Sequence, residues 1–108
     1  MKGELLKGHL DLILLAVLAE KPAYGYGLIR VLRNRTGGML DLTEGTIYPV
    51  LHRLEQAGYL ESRSLTVRSR RRRLYQLTAT GERELDRLRR EWYQFSLGVE
   101  KLLTSHDI

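Results

Sequence analysis

Residues 43–78 read TEGTIYPVLHRLEQAGYLESRSLTVRSRRRRLYQLT, and the hydrophobic period changes inside them. In the first part Ile47, Val50, Leu51 and Leu54 stand at i, i+3, i+4 and i+7, the stripe of an amphipathic helix, and Gly58 marks its end. From Tyr59 onward the period drops to two. Residues 59–66 and 73–78 read as strands, the second alternating Leu74, Gln76 and Thr78 against Arg73, Tyr75 and Leu77. The connector, residues 67–72, is mostly arginine, so the expectation is a β-hairpin with a basic tip. Pro49 constrains where the helix begins. A cap at Thr43 would put the proline in the second turn, where it removes a hydrogen bond. A cap at Thr46 puts it in the first turn, where a missing N–H costs little, and this is the expected start, after a short turn at 43–45.

On the N-terminal side, residues 9–20 (HLDLILLAVLAE) are apolar nearly all round, which predicts a buried central helix ended by Pro22. A second helix is expected over 24–35, with Tyr24, Leu28, Val31 and Leu32 on one stripe and Arg30, Arg33 and Arg35 outside. Gly37 and Gly38 stop it. On the C-terminal side, Thr78 or Thr80 caps a last helix that carries Glu82, Glu84 and Asp86 near its positive end. Its apolar positions are Leu85, Leu88, Trp92, Phe95, Val99 and Leu102, spaced 3, 4, 3, 4, 3 as in a heptad seam. A helix of ~25 residues is roughly 37 Å long, more than the small domain before it can cover. Its stripe is therefore expected to meet a second copy of the chain.

Composition bounds the function. The chain has 108 residues, enough for one core, with 43% hydrophobic and 29% charged residues, a globular balance rather than a disordered one. Cysteine is absent, which excludes disulfides, thiolate zinc sites and cysteine catalysis. The longest apolar run, residues 12–19, is far short of the ~20 residues that span a bilayer. It also lacks the cleavage site of a signal peptide. A soluble, cytoplasmic protein is expected. His9, His52 and His106 are scattered, and the i, i+3 pair His52 and Glu55 has no third metal ligand in sight. Gly25-Tyr26-Gly27 is a bare G-x-G with a helix expected before it rather than a strand, and Ser62, Ser64, Ser69, Ser96 and Ser105 have no evident base. Neither an enzyme, a metal nor a cofactor is expected.

The net charge is +5 and the isoelectric point about 9.8, but the excess is local. Six arginines (63, 68, 70, 71, 72 and 73) fall within residues 63–73, which contain no acid. The rest of the chain holds twelve bases against thirteen acids, a net of −1. One basic strip on a near-neutral body is the footprint of a polyanion binder, and the choice of arginine over lysine suits bidentate phosphate contact. The plainer alternative is a solvated arginine loop.

Three helices, a basic hairpin and a long terminal helix describe a winged helix-turn-helix domain over residues 1–78 with a dimerisation helix and tail over 79–108. The fold class expected is mainly α with a small β-hairpin. At the residue level the chain resembles the PadR family of bacterial transcriptional regulators, in its short-form subgroup. The resemblance is carried by LLKGHLDLILLAVLAEKPAYGYGLI (5–29), LTEGTIYPVLHRLEQAGYLES (42–62), RRRRLYQLTATG (70–81), Trp92 and Phe95. It implies a homodimeric repressor of a pseudo-palindromic operator, often beside its own gene, in some members released by a phenolic acid or a drug-like aromatic. The family commonly has a glycine before the basic run, whereas Thr66-Val67-Arg68-Ser69 has none.

The same roles follow from geometry. Opposite the apolar stripe of the third helix lie Gly45, Tyr48, Pro49, His52, Arg53 and Gln56, the face a recognition helix offers to the major groove. The expected DNA contacts are Thr46, Tyr48, Pro49, His52 and Arg53, with Arg70, Arg71, Arg72 and Arg73 along the backbone or in the minor groove. Tyr48 is read as an exposed phenol reaching a phosphate; the alternative is a packing residue. Leu85, Leu88, Trp92, Phe95, Val99 and Leu102 are the expected dimer interface. Trp92 would face its symmetry mate, either as plain core or as a site for a planar aromatic effector. Two other readings compete: an RNA-binding protein using the arginine hairpin, and a scaffold acting through the heptad helix alone.

Overall fold

The computed structural model describes residue 6 and residues 8–104. His106 and the rest of the tail lie outside the described residues. The chain runs α1 (Leu10–Leu18), β1 (Ala23–Tyr24), α2 (Gly25–Arg35), α3 (Glu44–Gln56), β2 (Leu60–Val67), β3 (Arg70–Leu77) and α4 (Ala79–Thr104). The strands form one antiparallel sheet in the order β1-β3-β2. This is the winged helix-turn-helix arrangement that the change of period indicates.

The core follows the predicted stripes. Leu10, Leu14, Leu15 and Leu18 of α1 meet Leu28 and Leu32 of α2, and Ile47, Leu51 and Leu54 of α3. Leu60, Tyr75 and Leu85 close the cluster from the sheet and α4. Gly58 ends α3 as expected, with Tyr59 N–H bonded to Leu54 O and Gly58 N–H to Glu55 O, each 3.0 Å.

Three sequence expectations are corrected. The first concerns α3, which starts at Glu44, not near Thr46. Thr46 and Ile47 donate to the carbonyl of Thr43 at 3.1 and 3.0 Å, so residues 43–45 are already the first turn. Pro49 therefore sits inside the helix, and the carbonyl it leaves unpaired is that of Gly45, an exposed residue that water can serve.

The second correction concerns the wing. Its strands extend to Val67 and Arg70, so the connector is only Arg68-Ser69, and Arg70–Arg73 lie in β3 instead of in a loop. Arg68 (φ 51°) and Ser69 (φ 67°) both take the left-handed conformation, the geometry of a type I′ hairpin turn achieved without glycine. Near the tip β3 has no strand partner but β2, and three of its four arginines are exposed. The sequence there has no reason to alternate, which is why an arginine strand reads as a loop. The third correction is β1, a two-residue strand pairing Ala23 with Tyr75 and Tyr24 with Leu74. It is too short to leave a periodic signal.

Thr78, not Thr80, caps α4: its Oγ1 accepts from Gly81 N–H at 3.0 Å and donates to Gly58 O at 2.7 Å. Gly81 lies so close to the start of β2 that a Cβ there would stand 2.1 Å from the Tyr59 carbonyl oxygen and 2.7 Å from Leu77 Cδ1. A backbone carbonyl cannot yield as a side-chain tip can. Gly81→Ala is accordingly expected to cost about 2 kcal/mol or more through overpacking, a fall in Tm of roughly 10 °C for a domain of this size. Thermal unfolding by circular dichroism checks it, and an unchanged Tm would mean that α4 is not seated on Tyr59.

Candidate nucleic-acid interface

The pleat of β3 divides the arginine run. Ser62 pairs with Tyr75, Ser64 with Arg73 and Thr66 with Arg71, and these share one face of the hairpin. That face is turned to α3, because Ser62 Oγ donates to Glu55 Oε2 at 2.6 Å and Tyr75 is buried in the core. Arg71 and Arg73 thus stand on the α3 side, both exposed, with Arg71 Nε 3.3 Å from Ser64 Oγ. Arg70 and Arg72 point the other way, alongside Val67, toward α2. The wing carries two arginine rows instead of one basic tip.

On α3 the expected contacts separate. Pro49, His52 and Gln56 are exposed, as is Gly45. Thr46 is half-buried with its Oγ1 3.2 Å from Thr43 Oγ1, a contact within the first turn. Tyr48 is not the exposed phenol that its place on the helix suggests. It is half-buried against the core, its ring filling the place where a Cβ on Gly25 would come within 2.6 Å of it. The packing alternative describes it. Burial, and after it the charge of Glu44, push the Tyr48 phenol above its ordinary pKa, with Arg72 opposing. At neutral pH it is an O–H donor.

Arg53 is committed elsewhere. Its guanidinium makes a bidentate pair with Asp11 of α1, Nη2 to Oδ1 at 2.5 Å and Nη1 to Oδ2 at 3.1 Å. Those hydrogen bonds raise its already high pKa further. The pair borders a cavity of about 330 Å³ between α1 and α4, which His9, Leu88, Glu91, Trp92 and Phe95 also line. Trp92 meets His9 of its own chain edge-on, ring centroids 5.2 Å apart, and lies 6.3 Å from Phe95. Glu55, considered beside His52 as a metal ligand, is bonded to Ser62.

The terminal helix does not hold its whole seam free for a partner, which corrects the expectation for Leu85 and Leu88. Leu85 is buried at 3% exposure and Leu88 is half-buried, both on the domain's own core. Beyond them Trp92 is 40% and Leu102 81% exposed in the single chain, with Phe95, Leu97 and Leu103 also bare and Val99 half-buried. Arg87 bridges Glu84 at 2.8 Å and Glu91 at 3.0 Å along the solvent side, which supports the helix where it leaves the core. The molecule is consequently elongated, 62 × 29 × 21 Å.

Two contributors escape a reading of the sequence. Tyr26 and Arg30, both on α2, border the outer arginine row: the Arg72 guanidinium lies over the Tyr26 ring, 4.7 Å from its centroid. A Tyr-x-Tyr pair before a helix was the available signal, and it is too short to read as a strand. Among the described residues no three metal-ligating side chains cluster, and no helix is long and apolar enough to cross a membrane.

Residues 14–87 match the model of the family described as "Transcriptional regulator PadR-like family". A PadR family transcriptional regulator from Eggerthella lenta superposes with a TM-score of 0.84 at 34% identity, covering 95% of this chain and 88% of its own. A transcriptional regulator from Clostridium thermocellum gives 0.85 at 28% identity, over 92% and 97% of the two chains. An uncharacterised protein of Lysinibacillus sphaericus is 33% identical over 93 residues, 85% of each chain.

The buried environment of Tyr48 is open to a direct check. Burial raises the phenol pKa of both Tyr48 and Tyr75, so both are expected to ionise above the ordinary tyrosine range in an alkaline absorbance titration. Their contribution to stability is intact below about pH 10 and is lost as pH rises through their folded values. Tyr48→Phe should remove one late-ionising phenol. Loss of an early one instead would place that ring in solvent.

Proposed function

The chain belongs to the PadR-like family of transcriptional regulators, and on that premise we propose that it is a homodimeric, cytoplasmic repressor of a pseudo-palindromic operator. DNA-binding transcription regulation comes with the family; the dimer, the operator, the sign of regulation and the effector are our reading. The observation that carries it is the pairing of two surfaces on one chain. A wing whose residues 63–73 hold six arginines and no acid stands beside an exposed α3 face, and a bare apolar seam runs along α4 beyond the domain's own core.

In this reading Pro49, His52 and the half-buried Tyr48 meet the major groove, with Thr46 at its margin. Arg70, Arg71, Arg72 and Arg73 take the backbone and minor groove. Arg53 serves by fixing α3 to α1 through Asp11 instead of reading bases. Trp92, Phe95, Val99 and Leu102 close the dimer, while Leu85 and Leu88 anchor the helix that carries them. The cavity at Trp92, with an aromatic wall and the Asp11–Arg53 pair, supports relief of repression by an aromatic small molecule bearing a polar group.

Binding of a duplex from upstream of its own gene, in competition with random duplex and with single-stranded RNA, tests the central reading. Preference for the cognate duplex supports a regulator of that site; preference for RNA overturns it. Replacing Arg70, Arg71 and Arg72 together by alanine should weaken all duplexes alike and lower the log–log salt slope by ~0.9 for each phosphate that is no longer neutralised. Equal slopes would dismiss the wing.

The dimer has its own check. Trp92→Ala is expected to cost on the order of 3 kcal/mol of assembly free energy if the indole is covered by the partner. Sedimentation at micromolar concentration should then show a shift toward monomer. An unchanged dimer would place Trp92 outside the interface.

A further inference from the structure

The outer arginine row has a feature that the α3-side row lacks. Of Arg70–Arg73, Arg72 alone is half-buried, and its guanidinium rests on the Tyr26 ring at 4.7 Å. Tyr26 is brought there by β1. The pairing of Ala23 with Tyr75 and Tyr24 with Leu74 holds the first turn of α2, which carries Tyr26, beside the part of β3 that carries Arg72. Tyr24 lies parallel to Tyr26, centroids 5.6 Å apart and planes 6° apart, and packs beside the ring that Arg72 covers. Beside them opens a cleft of about 390 Å³ between α2 and the wing, lined by Tyr26, Arg30, Val67, Arg68, Arg70 and Arg72. Four guanidinium groups from two elements border it, and no carboxylate among the described residues does.

Guanidinium groups gathered without counter-charge suit a ligand with several anionic oxygens. A free arginine loses rotamer freedom when it is fixed on a phosphate. One already laid on an aromatic ring has lost much of that freedom beforehand. Resting on the DNA-binding reading, we propose that this cleft is a seat for a backbone phosphodiester of duplex DNA, in which Tyr26 is the positioning residue for Arg72 and Arg30 meets the same strand from α2. This site is made only when β1 brings the start of α2 to the wing.

The probe is a fluorescein-labelled duplex of random sequence, about three turns of DNA, titrated at several salt concentrations. Tyr26→Leu keeps an apolar side chain but removes the ring, and should weaken binding about fivefold, the scale of an exposed cation–π contact. Tyr26→Phe should bind as the wild type does. In an Arg72→Ala background Tyr26→Leu should have no further effect. Arg30→Ala should lower the salt slope by ~0.9. Without DNA, the Arg72 Nε–H resonance should be ring-current shifted in the wild type and in Tyr26→Phe but not in Tyr26→Leu, a signal that mere misfolding would not single out. Equal affinity of Tyr26→Leu and wild type, an equal loss with and without Arg72, or an unchanged slope for Arg30→Ala overturns the proposal. If the wild-type chain does not bind duplex at all, the regulator reading falls and this site with it; if the wild type binds and only the variants fail to differ, the site alone falls.

Discussion

One junction fixes the relation of every functional surface to the others. Thr78 Oγ1 donates to the carbonyl of Gly58, which ends α3, and accepts from the N–H of Gly81 in the first turn of α4. The backbone N–H of Thr78 donates to Tyr59 O at 3.1 Å, where β2 is about to begin. Gly81 allows that carbonyl to sit against the helix backbone, which no other residue type would permit. The end of α3, both ends of the hairpin and the start of α4 are thereby tied within a few ångströms. The wing can hold one position beside α3 only because its two strands return to this point. The arm leaves the domain in one direction for the same reason.

From that junction outward, the pleat of a strand does what a loop could not. Four consecutive arginines in a flexible tip would make one diffuse positive cloud. In β3 they alternate, Arg71 and Arg73 to the α3 side and Arg70 and Arg72 to the α2 side. The turn that permits this, Arg68-Ser69, places two non-glycine residues at positive φ, a conformation that costs stability. The hydrogen-bonded pairing of Val67 with Arg70 holds it there. Charge that repels itself is thus carried on a rigid ladder whose backbone hydrogen bonds are all local.

The apolar core ends well before α4 does. Leu85 is the last residue fully inside it, and Leu88 the last partly inside. The helix continues past them on its own hydrogen bonds and on exposed ion pairs such as Glu84–Arg87–Glu91, which are worth little individually. The uncovered seam from Trp92 to Leu102 therefore gains most from a second surface. Where α1 comes near it, the Asp11–Arg53 pair joins α1 to α3, so the wall of the Trp92 cavity and α3 share one ion pair.

The helical stripes, their glycine stops and the heptad seam were legible in the sequence, because each depends on side-chain spacing along one element. So were the acid-free arginine run and the similarity to a regulator family. Tertiary structure alone decided what depends on residues far apart in the chain. Thr43, not Thr46, begins α3, since an exposed Gly45 carbonyl tolerates the loss that Pro49 imposes. Tyr48 turns inward because Gly25 leaves room for a ring, a vacancy 23 positions away that no periodicity reports. Arg53 is claimed by Asp11 across 42 residues of sequence. Tyr26 reaches Arg72 through a two-residue strand. In each case an intrinsic preference of the local sequence was overridden by a partner brought into contact by the fold.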